Sequence, residues 1–145
     1  MLTVRKRPCP SCPYRLDVPS GIWAADEYAK LPLFDGETFE QAAAGAFAPF
    51  SCHSSPELLC AGWVGTHDMA ENLALRFAAR RGIDPAVYDY VSPVPLFGSG
   101  AEAAAHGMRD LERPGADALR AAAKLRRIVA ARYRDAADLI RGDDQ

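Results

Sequence analysis

The chain has 145 residues and a formal net charge of −2. This length suits one domain, and a charge so near zero excludes a protein that is basic overall, as many nucleic-acid-binding domains are. No stretch approaches the roughly 20 apolar residues of a membrane-spanning helix, and no signal peptide follows the N-terminal charges. The sequence therefore predicts a cytoplasmic protein without a membrane segment, and its thiols are expected to stay reduced.

The first fifty residues are predicted to alternate between loops and short helices. Residues 1–21 contain four prolines, which prevent a continuous helix. A helix is predicted over 22–31, with Ser20 as its N-cap and Pro32 as its end. A weaker helix is predicted over about 37–45, and the segment that follows it is expected to be extended. The buried side chains of the first helix are predicted to be Trp23, Tyr28 and Leu31.

The clearest helix of the first half is predicted over 68–81. Gly82 stands where a residue with positive φ often ends a helix. Thr66 or Asp68 is expected to cap its start, so that replacing His67 with alanine is expected to be nearly silent. The apolar stripe of this helix is predicted to be Met69, Leu73, Ala74 and Phe77.

Two helices are predicted near the C-terminus, over about 101–112 and 115–141. The longer helix is expected to pack either on its own domain or on a second copy of the chain. Its predicted apolar stripe is Leu119, Ala122, Val129, Tyr133, Ala136 and Ile140. Its other face carries basic side chains that are candidates for contact with an anion or nucleic acid, namely Arg120, Lys124, Arg126, Arg127 and Arg134. A solvated helix face explains the same residues.

These elements predict a mostly α-helical fold with irregular metal-binding loops and little strand, at most a short hairpin near the cysteines. The predicted organisation is a cysteine-rich metal-binding domain over 1–92, a linker over 93–100 and a helical C-terminal extension over 101–145. The proline and glycine content of the linker region motivates that division.

The chain has four cysteines, at spacings that suit metal ligands. Cys9 and Cys12 form a Cys-x-x-Cys turn, which lets two sulfurs reach one ion. Cys52 and Cys60 are separated by seven residues, so either the loop between them folds back or Cys60 lies at the start of a helix. His53 is adjacent to Cys52, and neighbouring residues rarely point at one ion. The prediction is therefore a site of four cysteines that binds Zn²⁺.

Several alternatives stay open at this stage. A [4Fe–4S] cluster also takes four thiolates and tolerates irregular spacing. A thioredoxin-like redox pair would need a strand before Cys9 and a helix after it, and four unliganded thiols would need no ion at all. Near the site, Arg15 is expected to offset thiolate charge, and His53 to donate a hydrogen bond to a thiolate.

The residues around the cysteines resemble a small uncharacterised family spread through actinobacteria and their phages. The resemblance covers about residues 8–90, with 100–145 outside it. It implies that the four cysteines form one site with Arg15, His53 and Trp63 near it, and it implies no activity. The matching segments are PCPSCPYR at 8–15, VPSGIW at 18–23, EY at 27–28, FSCH at 50–53, CAGW at 60–63 and LALR at 73–76.

No glycine-rich phosphate loop, nucleophile elbow or paired carboxylates occur in the sequence. The prediction is a non-enzymatic, zinc-binding accessory or regulatory factor that contacts a protein or a nucleic acid. An iron–sulfur redox or sensing protein is the first alternative. A metal-dependent enzyme is the second, and it would need an open coordination position.

Overall fold

The computed structural model describes residues 1–132, and this part of the chain is mostly helical with no sheet. The predicted fold class is thereby confirmed. Pairing between extended segments is limited to four isolated bridges in the described residues. The α-helices are α1 (Ala25–Lys30), α2 (Thr38–Ala44), α3 (Ala61–Thr66), α4 (Leu73–Phe77), α5 (Gly100–Met108) and α6 (Ala116–Arg132).

The first helical segment begins later and ends later than the sequence predicts. After α1, the chain continues as a 3₁₀ helix over Leu31–Phe34 with Pro32 in its first turn. Proline is tolerated there because its missing N–H would have no partner in a first turn. Ser20 does not cap this helix. Its hydroxyl donates to the Gly107 carbonyl at 2.9 Å and accepts from the Asp110 amide at 2.9 Å.

The predicted helix over 68–81 is interrupted. A 3₁₀ turn at Met69–Glu71 precedes α4, and the Asn72 side chain caps α4 by accepting from the Leu75 amide at 2.9 Å. The break shifts the helical phase, so that Leu75 is buried and Phe77 is 64% exposed. The prediction that Phe77 lies in the core is therefore wrong. Gly82 has the expected positive φ of 76°.

α5 packs directly on the N-terminal elements. A side chain at Gly107 would collide with the Tyr28 ring, and one at Gly100 would collide with the Leu31 carbonyl. The segment predicted as a linker pairs with the chain that follows Cys12, because Phe97 N–H donates to the Tyr14 carbonyl at 2.9 Å. One hydrophobic core includes buried residues on both sides of 93–100.

α6 contributes four residues to this core, and their phase differs in part from the predicted stripe. Ala122 and Val129 are buried as expected, whereas Leu119 is 42% exposed. The two other buried positions are Ala118 and Leu125. Three residues of the predicted stripe lie outside the described residues: Tyr133, Ala136 and Ile140.

No helix within residues 1–132 is both long enough and apolar enough to cross a membrane.

Candidate metal centre

Backbone pairing closes the long gap between Cys52 and Cys60. Cys52 N–H donates to the Leu58 carbonyl at 2.9 Å, and Cys60 N–H donates to the Phe50 carbonyl at 2.9 Å. Leu59 forms an antiparallel bridge to Ser51 between these two bonds. The loop thus folds back into a short hairpin-like pairing, and Cys60 also lies at the start of α3. The structure therefore combines the two arrangements that were expected as alternatives: the loop folds back, and Cys60 lies at the start of a helix.

The Cys9–Cys12 segment forms a tight turn. Cys12 N–H donates to the Cys9 carbonyl at 2.9 Å, and Arg15 N–H donates to the Cys12 carbonyl at 3.1 Å. The indole Nε1–H of Trp23 donates to the Ser11 carbonyl at 2.9 Å. A buried aromatic side chain from the start of α1 therefore holds the middle of the turn in place.

α3 packs against this turn through a glycine. The Sγ of Cys60, the N-cap residue, accepts a hydrogen bond from the Trp63 amide at 3.5 Å. A Cβ at Gly62 would lie 2.7 Å from the Tyr14 Cβ and still closer to the Cys12 Sγ. The absence of a side chain at Gly62 is therefore what lets the Cys60 helix approach Cys12.

All four thiols are buried and lie as two pairs, each of which joins the turn to the 52–60 segment. The Sγ atoms of Cys12 and Cys60 are 3.9 Å apart, which is far longer than the roughly 2.05 Å of a disulfide. Cys9 and Cys52 are the second pair, because each shifts the pKa of the other. The exposed fractions of the residues are 5% for Cys9, 1% for Cys12, 3% for Cys52 and 5% for Cys60.

The thiols shift one another's proton affinity. The hydrogen bond from Cys52, aided by Ser54, Ser11 and the charge of Arg5, lowers the pKa of Cys9 to about 6 against the effect of burial. The hydrogen bond to Cys9, with burial, raises the pKa of Cys52. The hydrogen bond with Cys60 likewise raises the pKa of Cys12, and burial adds to it. Four thiolates so close together can ionise jointly only if a cation offsets their charge.

The geometry of the four thiols can be compared with that of a tetrahedral zinc site. Within residues 1–132, no group of three or more His, Cys, Asp or Glu side chains is placed so that it could hold a metal ion. However, tetrahedral coordination with Zn–S bonds of about 2.3 Å separates neighbouring sulfurs by about 3.8 Å. The Cys12–Cys60 distance of 3.9 Å is close to that value. Two of the four thiols, Cys12 and Cys60, are therefore spaced as two ligands of one zinc ion would be.

Arg15 lies beside the turn and is held by its neighbours. Its guanidinium forms a two-point ion pair with Asp17, at 2.7 and 2.8 Å, and donates to the Pro8 carbonyl at 3.2 Å. The hydrogen bond with Asp17 raises the pKa of Arg15, and the charges of Cys12 and Cys9 add to this effect. Arg15 thus fastens the chain immediately before Cys9 while facing the thiols with a positive charge.

His53 is hydrogen-bonded to a carboxylate rather than to a thiol. Its Nε2 lies 2.8 Å from Oε1 of Glu27, and its ring stacks against Trp23 with centroids 4.3 Å apart. The other oxygen of Glu27 accepts from Lys30 Nζ at 2.7 Å. Burial raises the pKa of Glu27, but the hydrogen bonds from His53 and Lys30 outweigh it and lower the pKa.

Four of the five predicted basic residues lie on α6, which is distant from the thiols in sequence. Arg120, Lys124 and Arg127 are exposed, and Arg120 pairs with Asp117. Arg126 is partly buried, and Arg134 lies outside the described residues.

Two residues of the site were not predicted. Gly62 has a signal in the sequence, because a glycine in a first helical turn is otherwise unfavourable. Glu27 has one as well, because it follows Trp23 by four residues, which is about one turn of the predicted helix.

Comparison with known proteins gives a family but no activity. No curated protein and no solved structure matches the chain. The model of one family matches residues 4–132, which extends beyond the 8–90 predicted from the motifs and takes in α5 and α6. This match includes all four cysteines and the residues that hold them. The chain belongs to the family of unknown function DUF6283.

Proposed function

We propose that Cys9, Cys12, Cys52 and Cys60 bind one zinc ion, and that the protein is a non-enzymatic module built around this ion. The observation that carries the proposal is the burial of four thiols on two segments that are distant in sequence, with the Sγ atoms of Cys12 and Cys60 3.9 Å apart. Buried thiols at such distances need a cation to ionise together. Zinc is the ion that four cysteines favour.

The role we assign to the ion is structural. The ion would connect the Cys9–Cys12 turn to the 52–60 segment. Because Cys60 lies at the start of α3, it would also connect α3 to that turn. Zinc binding of this kind supplies on the order of 10 kcal/mol in apparent terms, which decides whether a small domain folds. Four protein ligands close the coordination sphere, whereas a catalytic zinc keeps one position for water. A four-cysteine site therefore favours a structural role over an enzymatic one.

The module would act in the cytoplasm as an accessory or regulatory factor of an actinobacterium or its phage, by contacting a protein or nucleic acid. The basic face of α6 supports this part of the proposal, because the side chains of Lys124 and Arg127 are exposed on it.

The test is elemental analysis of protein purified without oxygen, combined with chelation. We expect about one zinc per chain, together with a thermal melt that falls when a strong chelator is added and recovers when zinc returns. Cys12→Ser should behave like the chelated protein and should not recover with zinc. If the purified protein contains iron and has a visible absorption band, the bound group is an iron–sulfur cluster and not zinc. If the purified protein contains no metal and its melting temperature does not change when chelator is added, the proposal is refuted.

A further inference from the structure

A cavity of about 530 Å³ borders the proposed metal site, because Cys52 is one of its lining residues. It is bounded by α1, the 3₁₀ helix at Leu31–Phe34, the segment 45–53 and Val129 of α6. Small-molecule sites have volumes of about 300–1,000 Å³ and combine apolar walls with few polar groups. This cavity has both properties.

The aromatic walls of the cavity are held rigidly from behind. Phe34 and Phe50 pack edge to face with centroids 6.0 Å apart, and both line the cavity. Behind them, Phe50 contacts the buried ring of Tyr14 and Phe34 contacts the buried ring of Trp63. Trp23 also lines the cavity and is 1% exposed. A flat aromatic molecule is the shape that such walls accept with least rearrangement.

The polar end of the cavity offers hydrogen-bond acceptors. Glu27 lines it, and the side chain of Glu27 is only 5% exposed. Each of its oxygens makes one hydrogen bond, to His53 or to Lys30. A carboxylate has about four lone-pair positions, so acceptor capacity remains unused on both oxygens. Lys30 already offsets the charge of Glu27, so a ligand need not be charged.

We propose that this cavity binds a neutral, flat aromatic molecule whose N–H or O–H group donates to the Glu27 carboxylate. A charged ligand is not required, because Glu27 and Lys30 already form an ion pair at 2.7 Å. A molecule without a donor would fill the apolar walls but would leave the remaining acceptor positions of Glu27 unpaired and out of water. Cys52 lies in the cavity wall, but the hydrogen bond that distinguishes the ligand is to Glu27 and not to a thiol.

The test uses two probes of the same shape, carbazole and dibenzofuran, which differ in that only carbazole has an N–H donor. Equilibrium dialysis against the full-length protein as purified measures the dissociation constant of each. We expect carbazole to bind at least about tenfold more tightly, as a hydrogen bond to a charged acceptor provides. Equal affinities for the two probes, or no binding of either at saturation, would overturn the proposal.

Two variants localise the binding. Ala48 is exposed and lines the cavity, whereas Ala43 is exposed on α2 and does not. Ala48→Trp should weaken carbazole binding at least about tenfold by filling the entrance, while Ala43→Trp should leave it unchanged. Glu27→Gln should remove most of the preference for carbazole over dibenzofuran. Carbazole binding that survives Ala48→Trp would show that the probe binds elsewhere.

Discussion

Gly62→Ala is the most direct test of how α3 reaches the cysteine turn. The added Cβ would lie 2.7 Å from the Tyr14 Cβ, where an ordinary contact begins at 3.4 Å, so a shift of about 0.7 Å (3.4 − 2.7) is required. Tyr14 is fully buried, and its ring contacts Phe50 and His67 edge to face. It therefore has no space into which to retreat.

The expected loss follows from this overpacking. Extra atoms in a well-packed interior cost about 1–3 kcal/mol in the free energy of unfolding. Alanine favours a helix over glycine by about 1 kcal/mol, which offsets part of the loss. Gly65→Ala is the matched control, because it lies in the same helix and the one atom too close to its Cβ is the flexible end of Leu96, whereas Ser92 and Tyr90 lie at ordinary contact distance. The difference between the two variants isolates the packing effect from helix propensity.

The assay is denaturant unfolding followed by far-UV circular dichroism, with metal content measured on the same samples. We expect Gly62→Ala to unfold about 1–3 kcal/mol more easily than Gly65→Ala, or about 2–4 °C lower for each kcal/mol. It should also bind less metal, because the new methyl group displaces Cys12. If Gly62→Ala matches Gly65→Ala in both measurements, the close approach of α3 does not position Cys12.

Three further predictions concern other parts of the molecule. His67→Ala should cost about 1–3 kcal/mol in urea unfolding, and not be silent, because His67 Nε2 lies 2.8 Å from the Asp35 carboxylate; a loss under 0.5 kcal/mol would contradict this reasoning. Because the pKa of Glu27 is lower in the folded protein than its ordinary value of 4.5, its ionised carboxylate stabilises the fold at pH values above 4.5. That stabilisation is lost as the pH falls through the pKa of the folded state. The difference in unfolding free energy between wild type and Glu27→Gln should therefore be largest near pH 7 and narrow below pH 4.5, and a constant difference would exclude the ion pair as its source. If α6 contacts nucleic acid, Arg127→Glu should weaken binding to duplex DNA and flatten its salt dependence, while Arg80→Glu should change neither; equal effects would exclude α6 as the contact surface.

The four cysteines of the candidate site could be singled out from the sequence, but the way the chain brings them together could not. The Cys-x-x-Cys spacing identifies Cys9 and Cys12 as a pair, because a two-residue gap is enough to bring both sulfurs to one side of a turn. Cys52 and Cys60 are joined only through hydrogen bonds of the chain around them, such as Cys60 N–H to the Phe50 carbonyl at 2.9 Å. The role of His53 also depended on tertiary structure, because its partner Glu27 lies 26 residues earlier.

Some features of the fold could likewise be predicted from the local sequence, whereas others depend on tertiary contacts. The helical character of α5 and α6 and the positive φ of Gly82 follow from interactions within a few residues, so their local sequence is sufficient to predict them. The packing phase of α4 is different. Its cap at Asn72 competes with continuation of the helix, and Gln41 of α2 supports the break by accepting from the Leu73 amide at 2.9 Å. A contact over 32 residues thereby moves Phe77 to the surface.

The sequence by itself determined that the protein is mostly helical, that four thiols are available, and where its loops and C-terminal helices lie. Tertiary structure alone decided which thiols pair, that Gly62 admits α3 to the turn, and that α1, Leu31–Phe34 and α6 enclose a cavity beside them. The physical reason is the distance along the sequence over which each kind of interaction acts. Backbone preferences and short spacings act over a few residues, whereas packing joins segments such as Thr3 and Leu59, whose backbones are hydrogen-bonded at 2.8 Å.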